Sequence, residues 1–169
     1  MRSSDYKYDK NLISKLAYDR IVEKYGLDKE NVNQAIYYAV TSLDSHINSL
    51  IKIENSEENV LLGDYYSFEY YNLVQGNLLL LNKISSHMSD TYKYLQTGNL
   101  EDAELYHIIF NLYVILLGEY DIKMDNEDID LVIEAYENTY HSKLSSVVDV
   151  EFNKENLLEK ARAMNDREV

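Results

Sequence analysis

Apolar residues recur every three to four positions along almost the whole chain, and this period predicts helices rather than strands. A first helix is expected over about residues 9–25, with Gly26 as its stop, and a second helix begins near Asp28. Six apolar residues share one face of the second helix: Val32, Ile36, Val40, Leu43, Ile47 and Leu50. Such a stripe is typical of a helix that packs on a core. Polar residues 54–56 end this helix, and Ser56 is the expected N-cap of the next one.

Three longer helices are predicted in the middle of the chain. The third helix covers about residues 57–75, and the fourth covers about residues 81–97. The fifth helix, at about residues 100–120, is apolar nearly all round, so we expect it to be buried at the centre of the bundle. Asn99 with Asp102 resembles a capping arrangement at the start of this fifth helix.

The C-terminal part of the chain predicts two more helices. A sixth follows the acidic segment 121–130, and a short, charged one covers about residues 153–166. The last helix has only four apolar residues to bury: Leu157, Leu158, Ala161 and Met164. We therefore expect it to pack loosely or against a partner. Because no strand pattern, linker or repeat is evident, the predicted fold is an all-α bundle of about seven helices, forming a single domain over residues 1–169.

Composition narrows the class of protein further. The 169 residues include no cysteine and no proline, which excludes disulfides and cysteine nucleophiles and permits long unkinked helices. The formal charge of −14 disfavours nucleic acid and anionic membrane surfaces as partners. The N-terminus lacks the apolar core of a signal peptide and no apolar run could span a bilayer, so a cytoplasmic protein is expected. The 17 tyrosines are explained either by partly solvated interfaces or by a core in which tyrosine replaces phenylalanine.

Two groups of residues contain possible metal ligands, but neither matches the spacing of a known type of metal site. The acidic segment 121–130 lacks the glycine and the terminal glutamate of a helix-loop-helix calcium loop, so we interpret it as a solvated loop that brings negative charge to a helix N-terminus. A single Glu-x-x-His pair, Glu104 with His107, stands alone where a di-metal bundle site needs two. His107 and Asn111 share one stripe of the fifth helix, which favours a hydrogen-bonded, buried histidine over a ligand.

The third helix contains two residues that disfavour a buried helix. Gly63 in mid-helix costs about 1 kcal/mol relative to alanine. Asp64 lies one turn from apolar neighbours, where a carboxylate requires hydrogen bonds or an ion pair. We interpret Gly63 as a point where another backbone approaches closely, and Asp64 as an acceptor for a neighbouring helix or a partner subunit. The alternative is that both residues face solvent near a frayed helix start.

The same segment carries a family resemblance. The run Leu61-Leu62-Gly63-Asp64-Tyr65-Tyr66-Ser67, followed by Tyr70-Tyr71, resembles the small regulatory subunit, component 1, of the two-component bacterial heptaprenyl and hexaprenyl diphosphate synthases. The resemblance is specific over about residues 57–96. It implies a reduced trans-prenyltransferase fold and an intersubunit face made of six residues: Gly63, Asp64, Tyr66, Ser67, Tyr70 and Tyr71.

The catalytic chemistry of that family needs aspartate-rich DDxxD motifs that hold magnesium against a diphosphate. No two aspartates are adjacent in this sequence, and the only arginines are Arg2, Arg20, Arg162 and Arg167. The resemblance therefore implies a chain with no catalytic residues and no cofactor of its own. Mg²⁺ and both aspartate motifs are expected in a partner subunit that condenses isopentenyl diphosphate onto farnesyl diphosphate.

The leading hypothesis is a non-catalytic subunit that is required for polyprenyl diphosphate synthesis for menaquinone and helps to set product length. By resemblance it would also contact the growing apolar polyprenyl chain. The alternative hypothesis is an acidic, all-α protein–protein interaction module unrelated to prenyl transfer, since a helix-in-groove surface would use tyrosines equally well. An independent metal-dependent enzyme is the third and least favoured interpretation.

Overall fold

The computed structural model describes residues 7–51 and 55–167. Nine helices and one short ladder form in this part of the chain: α1 (Lys10–Lys15), α2 (Tyr18–Tyr25), α3 (Glu30–Ile51), α4 (Ser56–Val74), α5 (Leu78–Thr97), β1 (Asn99–Leu100), α6 (Asp102–Gly118), α7 (Asn126–Thr139), α8 (His141–Ser145), β2 (Asp149–Val150) and α9 (Lys154–Arg167). The predicted all-α class is confirmed. No helix among these residues has the length and apolar character needed to cross a membrane.

Two of the predicted helices are each divided into two. The predicted helix over residues 9–25 breaks at Ala17, which adopts a left-handed φ of 71°. Alanine is the strongest helix former, so the sequence gives no sign of this break. Where the sequence predicts one sixth helix that includes Tyr140 and Leu144, the structure has two, α7 and α8, which are separated at Tyr140. Gly26 ends α2 in the left-handed conformation, as predicted.

The described residues form two compact units, one within residues 1–82 and one within residues 83–169, called unit 1 and unit 2 below. The boundary between the units lies within α5, and the single domain stays a prediction. In unit 1, α3 and α4 pack along their lengths, and α1 packs on α2 and α3. The N-terminal segment is fixed to α3 where the Asp9 N–H donates to Thr41 Oγ1 at 3.1 Å.

Burial along α3 exceeds the single stripe that the sequence predicts. Ile36 and Ile47 are fully buried as expected, but Leu50, the last member of the stripe, is 61% exposed. Polar residues on the other sides of α3 are buried as well, including Ser42 and Asp44. The periodicity located the helix correctly and underestimated how much of its circumference is covered.

Unit 2 is built around α6, which is buried along most of its length as predicted. Helices α7 and α9 pack on α6 and on each other. On α9, Leu157 and Ala161 are buried, Leu158 is half-buried, and Met164 remains 38% exposed. The last helix therefore uses its inner two apolar residues for packing within unit 2.

A two-residue parallel ladder corrects the expectation that the chain has no strands. Asn99 pairs with Asp149 and Leu100 pairs with Val150. Strands of two residues are too short to produce an alternating sequence pattern. The predicted capping role of Asn99 is wrong, because Asn99 lies in β1 and Glu101 is the N-cap of α6 without a side-chain bond. The expected N-cap of α4 also moves by one residue, from Ser56 to Asn55.

The acidic segment ends in a capping box at the start of α7. Asp125 Oδ1 accepts from the Asp128 N–H at 2.8 Å, and Asp128 Oδ2 accepts from the Asp125 N–H at 3.1 Å. The helix begins at Asn126, so the predicted loop is shorter than residues 121–130. The interpretation as a segment that brings negative charge to a helix N-terminus agrees with this geometry.

Replacing the N-cap of α7 tests this arrangement. Asp125→Ala removes the acceptor for the Asp128 N–H, and we expect it to lower the free energy of unfolding by about 1 kcal/mol. Urea unfolding followed by circular dichroism measures the change. Glu134→Ala, at an exposed mid-helix position of α7, is the control and should change stability little. Equal losses in the two variants would contradict the capping role.

Candidate functional site

Helix α4 carries the segment that the sequence singles out, and its two sides have different surroundings. Gly63, Tyr66, Tyr70 and Val74 are buried. These positions recur at intervals of three and four residues, so they lie on one side of α4, which packs against α3. Because α4 begins at Ser56, Gly63 lies well inside the helix rather than at a frayed start.

Gly63 allows α3 and α4 to approach closely. A Cβ atom built on Gly63 would lie 2.5 Å from Cδ2 and from Nε2 of His46, so the imidazole of His46 occupies the space that a side chain would need. Ser42 Oγ donates to the carbonyl oxygen of Gly63 at 2.7 Å. Ser42 Oγ also lies 2.7 Å from Ser67 Oγ, which must then be the donor in that pair. Gly63 is therefore a point of close packing within unit 1, but the group that lies against it is the imidazole of His46 and not the second backbone that the sequence predicts.

Asp64 projects outward from the same turn of α4. Its Oδ1 lies 3.4 Å from His46 Nε2, and its side chain is 68% exposed. Burial lowers the pKa of His46, and the nearby Asp64 carboxylate partly offsets that effect. Asp64 is therefore not enclosed by apolar side chains. It accepts a weak contact from a neighbouring helix of its own chain while most of its surface faces solvent.

The tyrosines of this segment divide between the two sides of α4. Tyr66 and Tyr70 are buried, and the ring of Tyr66 lies 6.2 Å from that of Tyr38 on α3. Tyr71 is 49% exposed. Across the described residues eight tyrosines are buried, which favours the interpretation that tyrosine takes the place of phenylalanine in this core: Tyr18, Tyr37, Tyr38, Tyr66, Tyr70, Tyr113, Tyr136 and Tyr140.

The outer face of α4, defined here as Leu61, Asp64, Phe68 and Tyr71, is mostly apolar and exposed. Leu61 is 68% exposed and Phe68 is 60% exposed. The four residues are spaced by three, four and three positions, so they form one stripe about 15 Å long. Helix α4 thus has apolar residues on both sides, and among the described residues α3 covers the inner side while the outer one stays exposed.

The predicted intersubunit set is therefore distributed over both sides of α4. Gly63, Tyr66 and Tyr70 are buried and Ser67 is half-buried against α3, whereas Asp64 and Tyr71 are exposed. The sequence analysis gives neither Leu61 nor Phe68 a role in the intersubunit face. Their spacing could have predicted one, because Leu61, Phe68 and Tyr71 lie on the same side of a helix as Asp64.

A second polar cluster lies within unit 2. His87 of α5 is 1% exposed, and its ring stacks on that of His107 of α6 at a centroid distance of 4.5 Å. Asn111 Nδ2 donates to His87 Nδ1 at 3.1 Å, and His107 Nε2 donates to the His87 carbonyl oxygen at 3.3 Å. His107 is hydrogen-bonded as expected but is only half-buried, and the buried histidine of the pair is His87.

Burial, together with the adjacent His107, lowers the pKa of His87 to about 3. The neutral imidazole is therefore the native form over the physiological range. Among the described residues no partner is found for His87 Nε2. The stacked pair arises from two different helices, which is why the spacing of histidines along the sequence gave no sign of it.

Among the residues described, no three His, Asp or Glu side chains come together in a group that could hold a metal ion. No protein-family model matches the chain, and neither a curated protein nor a solved structure shows significant similarity to it.

The contact between His46 and Asp64 predicts opposite effects of two substitutions on the pKa of His46. Asp64→Asn removes the carboxylate and should lower that pKa further. Gly63→Ala should displace the imidazole toward solvent and raise the pKa toward its ordinary value of 6.5. NMR titration of the histidine ring signals measures both, with His141 as the internal reference. Shifts of the same sign in the two variants would contradict this geometry.

The buried His87 predicts that unit 2 loses stability in mild acid. The pKa is near 3 in the folded chain and about 6.5 in the unfolded chain, so the unfolded chain binds more protons between these values. Stability should therefore fall as the pH decreases from 7.5 to 5, with a contribution of about 2 kcal/mol from His87.

His87→Gln separates this effect from the titration of carboxylates. The variant removes the titrating ring, so its loss of stability between pH 7.5 and 5 should be smaller than that of the unmodified chain by about 2 kcal/mol. Urea unfolding at the two pH values measures the difference. Identical pH dependence in both proteins would rule out a buried neutral His87.

Proposed function

We propose that this chain is a non-catalytic subunit that binds a partner protein through the outer face of α4. The observation that supports this proposal most directly is that α4 is apolar on both sides while α3 covers one. Contiguous exposed apolar residues of this kind are found at protein interaction sites more often than elsewhere on a protein surface. The buried contacts at Gly63 and Ser67 hold the stripe in a fixed orientation, so it is preorganised for binding.

Charge indicates the chemistry of the partner. Helix α4 contains four acidic residues and no basic one: Glu57, Glu58, Asp64 and Glu69. Helix α3 also contains no lysine or arginine. The complementary partner is an amphipathic helix whose apolar residues contact Leu61 and Phe68, and whose lysine or arginine faces Asp64.

The specific form of the proposal is that the partner is the catalytic subunit of a long-chain polyprenyl diphosphate synthase. The resemblance of residues 61–67 and 70–71 to component 1 supports it. In this proposal the partner contributes the DDxxD motifs and Mg²⁺, and the present chain completes the active complex and influences product length. The residues of the motif then have two roles. The exposed ones, Asp64 and Tyr71, meet the partner. The buried or half-buried ones position α4 against α3: Gly63, Tyr66, Ser67 and Tyr70.

A binding module unrelated to prenyl transfer would use the same surface. The outer face of α4 supports both forms equally, since both need an apolar stripe and an acidic surround. The identity of the protein bound at Phe68 distinguishes them.

Photo-crosslinking in the source cells tests the proposal directly. A photoreactive phenylalanine analogue is placed at position 68, and the control places it at Leu79, which is 66% exposed and lies on α5. A crosslinked protein specific to position 68 that carries DDxxD motifs supports the prenyl synthase form. A specific adduct without those motifs supports the unrelated module, and equal adducts at both positions contradict binding through α4.

Reconstitution with the crosslinked DDxxD protein gives the quantitative prediction. Leu61→Asp introduces a charge into the apolar stripe and should weaken assembly more than about tenfold, whereas Leu79→Asp, at a matched exposed leucine, should have little effect. Asp64→Ala should weaken assembly up to about fivefold without unfolding the chain, because it removes the exposed carboxylate that is proposed to face a lysine or arginine of the partner. Sedimentation and elongation of farnesyl diphosphate measure assembly and activity, and unchanged values for Leu61→Asp would contradict the proposal.

A further inference from the structure

Unit 2 contains a cavity that the proposed function does not use. It has a volume of about 300 Å³ and lies between α6, the loop that precedes α7, the start of α7, and α9. Its inner wall consists of five buried apolar side chains: Phe110, Leu117, Met124, Ile129 and Ala161. A cavity of this volume is at the lower end of the range for small-molecule sites in proteins.

The cavity opens to solvent between α6 and α9. Val114 and Met164 line it and are 37% and 38% exposed, so the apolar wall continues to the surface. The two methionines that line the cavity, Met124 and Met164, have flexible and polarisable side chains that adapt to ligands of different shape. The apolar inner wall of this concave site can exclude water from the apolar part of a bound molecule.

The polar side of the cavity is close to electrically balanced. Asp121 and Lys123 both line it and both are exposed, and they carry opposite charges two residues apart in the same loop. Asp121 adopts a left-handed φ of 57°, a conformation that aspartate accepts more readily than most residues. A pair of opposite charges gives no preference for a strongly anionic or cationic head group and can hydrogen-bond a neutral polar one.

We propose that this cavity is a binding site for a neutral, mostly apolar small molecule of about ten non-hydrogen atoms with one polar end. The apolar part contacts Phe110 and Met124, and the polar end lies near Asp121 and Lys123. The site lies in unit 2 and the outer face of α4 lies in unit 1, so the two proposals rest on different residues and can fail independently.

Methionine methyl NMR tests the site with 1-octanol as the probe. In protein labelled with ¹³C at the methionine methyl groups, the signals of Met124 and Met164 should shift and saturate as octanol is added. Met88, which is buried in unit 2 away from the cavity, is the internal reference. Met124→Leu and Met164→Leu assign the signals. No shift of Met124 and Met164, or an equal shift of Met88, would overturn the proposal.

A matched pair of variants tests the position of the site. Val114→Phe fills the mouth of the cavity and should weaken octanol binding by at least about tenfold. Val60→Phe makes the same change at a valine of similar exposure, 40%, in unit 1 and should leave octanol binding unchanged. Equal binding by the two variants would place octanol elsewhere on the chain.

Charged probes test the neutral head group. Octanoate and octylammonium have the same apolar length as octanol. We expect both to bind at least about tenfold more weakly, because a charged head group loses hydration on binding while the balanced pair of Asp121 and Lys123 offers it no net opposite charge. Tighter binding of either charged probe would overturn the assignment of a neutral ligand.

Discussion

The absence of a side chain at Gly63 allows the imidazole of His46 to lie against the backbone of α4. The same close approach brings Ser42 within hydrogen-bond distance of the Gly63 carbonyl and of Ser67. A larger residue at position 63 would displace His46, which also contacts Asp64. The rotation of α4 about its axis is fixed by these contacts, and that rotation determines which of its residues face α3 and which face solvent.

Helical periodicity predicted most of the fold because nearly every helix has an apolar face to bury. Gly63 also predicted the position of a close contact correctly. A glycine in mid-helix lowers the stability of its own helix, so its presence suggests that packing requires it there. Periodicity could not predict the break at Ala17, where a strong helix former takes a left-handed conformation. It could not predict the ladder of β1 and β2 either, because two residues contain no period.

The polar contacts of the interior could not be predicted from the sequence as well as the helices could. Ser42 and His46 come from α3, and their roles depend on a partner residue more than 15 positions away along the chain. His87 and His107 are likewise 20 residues apart, and only the packing of α5 on α6 within unit 2 stacks their rings. Sequence spacing detects pairs on one helix, whereas pairs between helices depend on the rotation of each helix about its own axis.

Helices α4 and α6 differ in how much of their apolar surface the described residues cover. Helix α6 is apolar nearly all round, whereas α4 has two apolar sides and also carries four acidic residues. Helix α6 is buried over most of its circumference, so its composition is accounted for by the core of unit 2. Helix α4 buries one of its apolar sides against α3 and leaves Leu61 and Phe68 of the other side exposed. Since exposed apolar side chains of this size gain free energy when they leave water, the composition of α4 is explained once a second surface covers it.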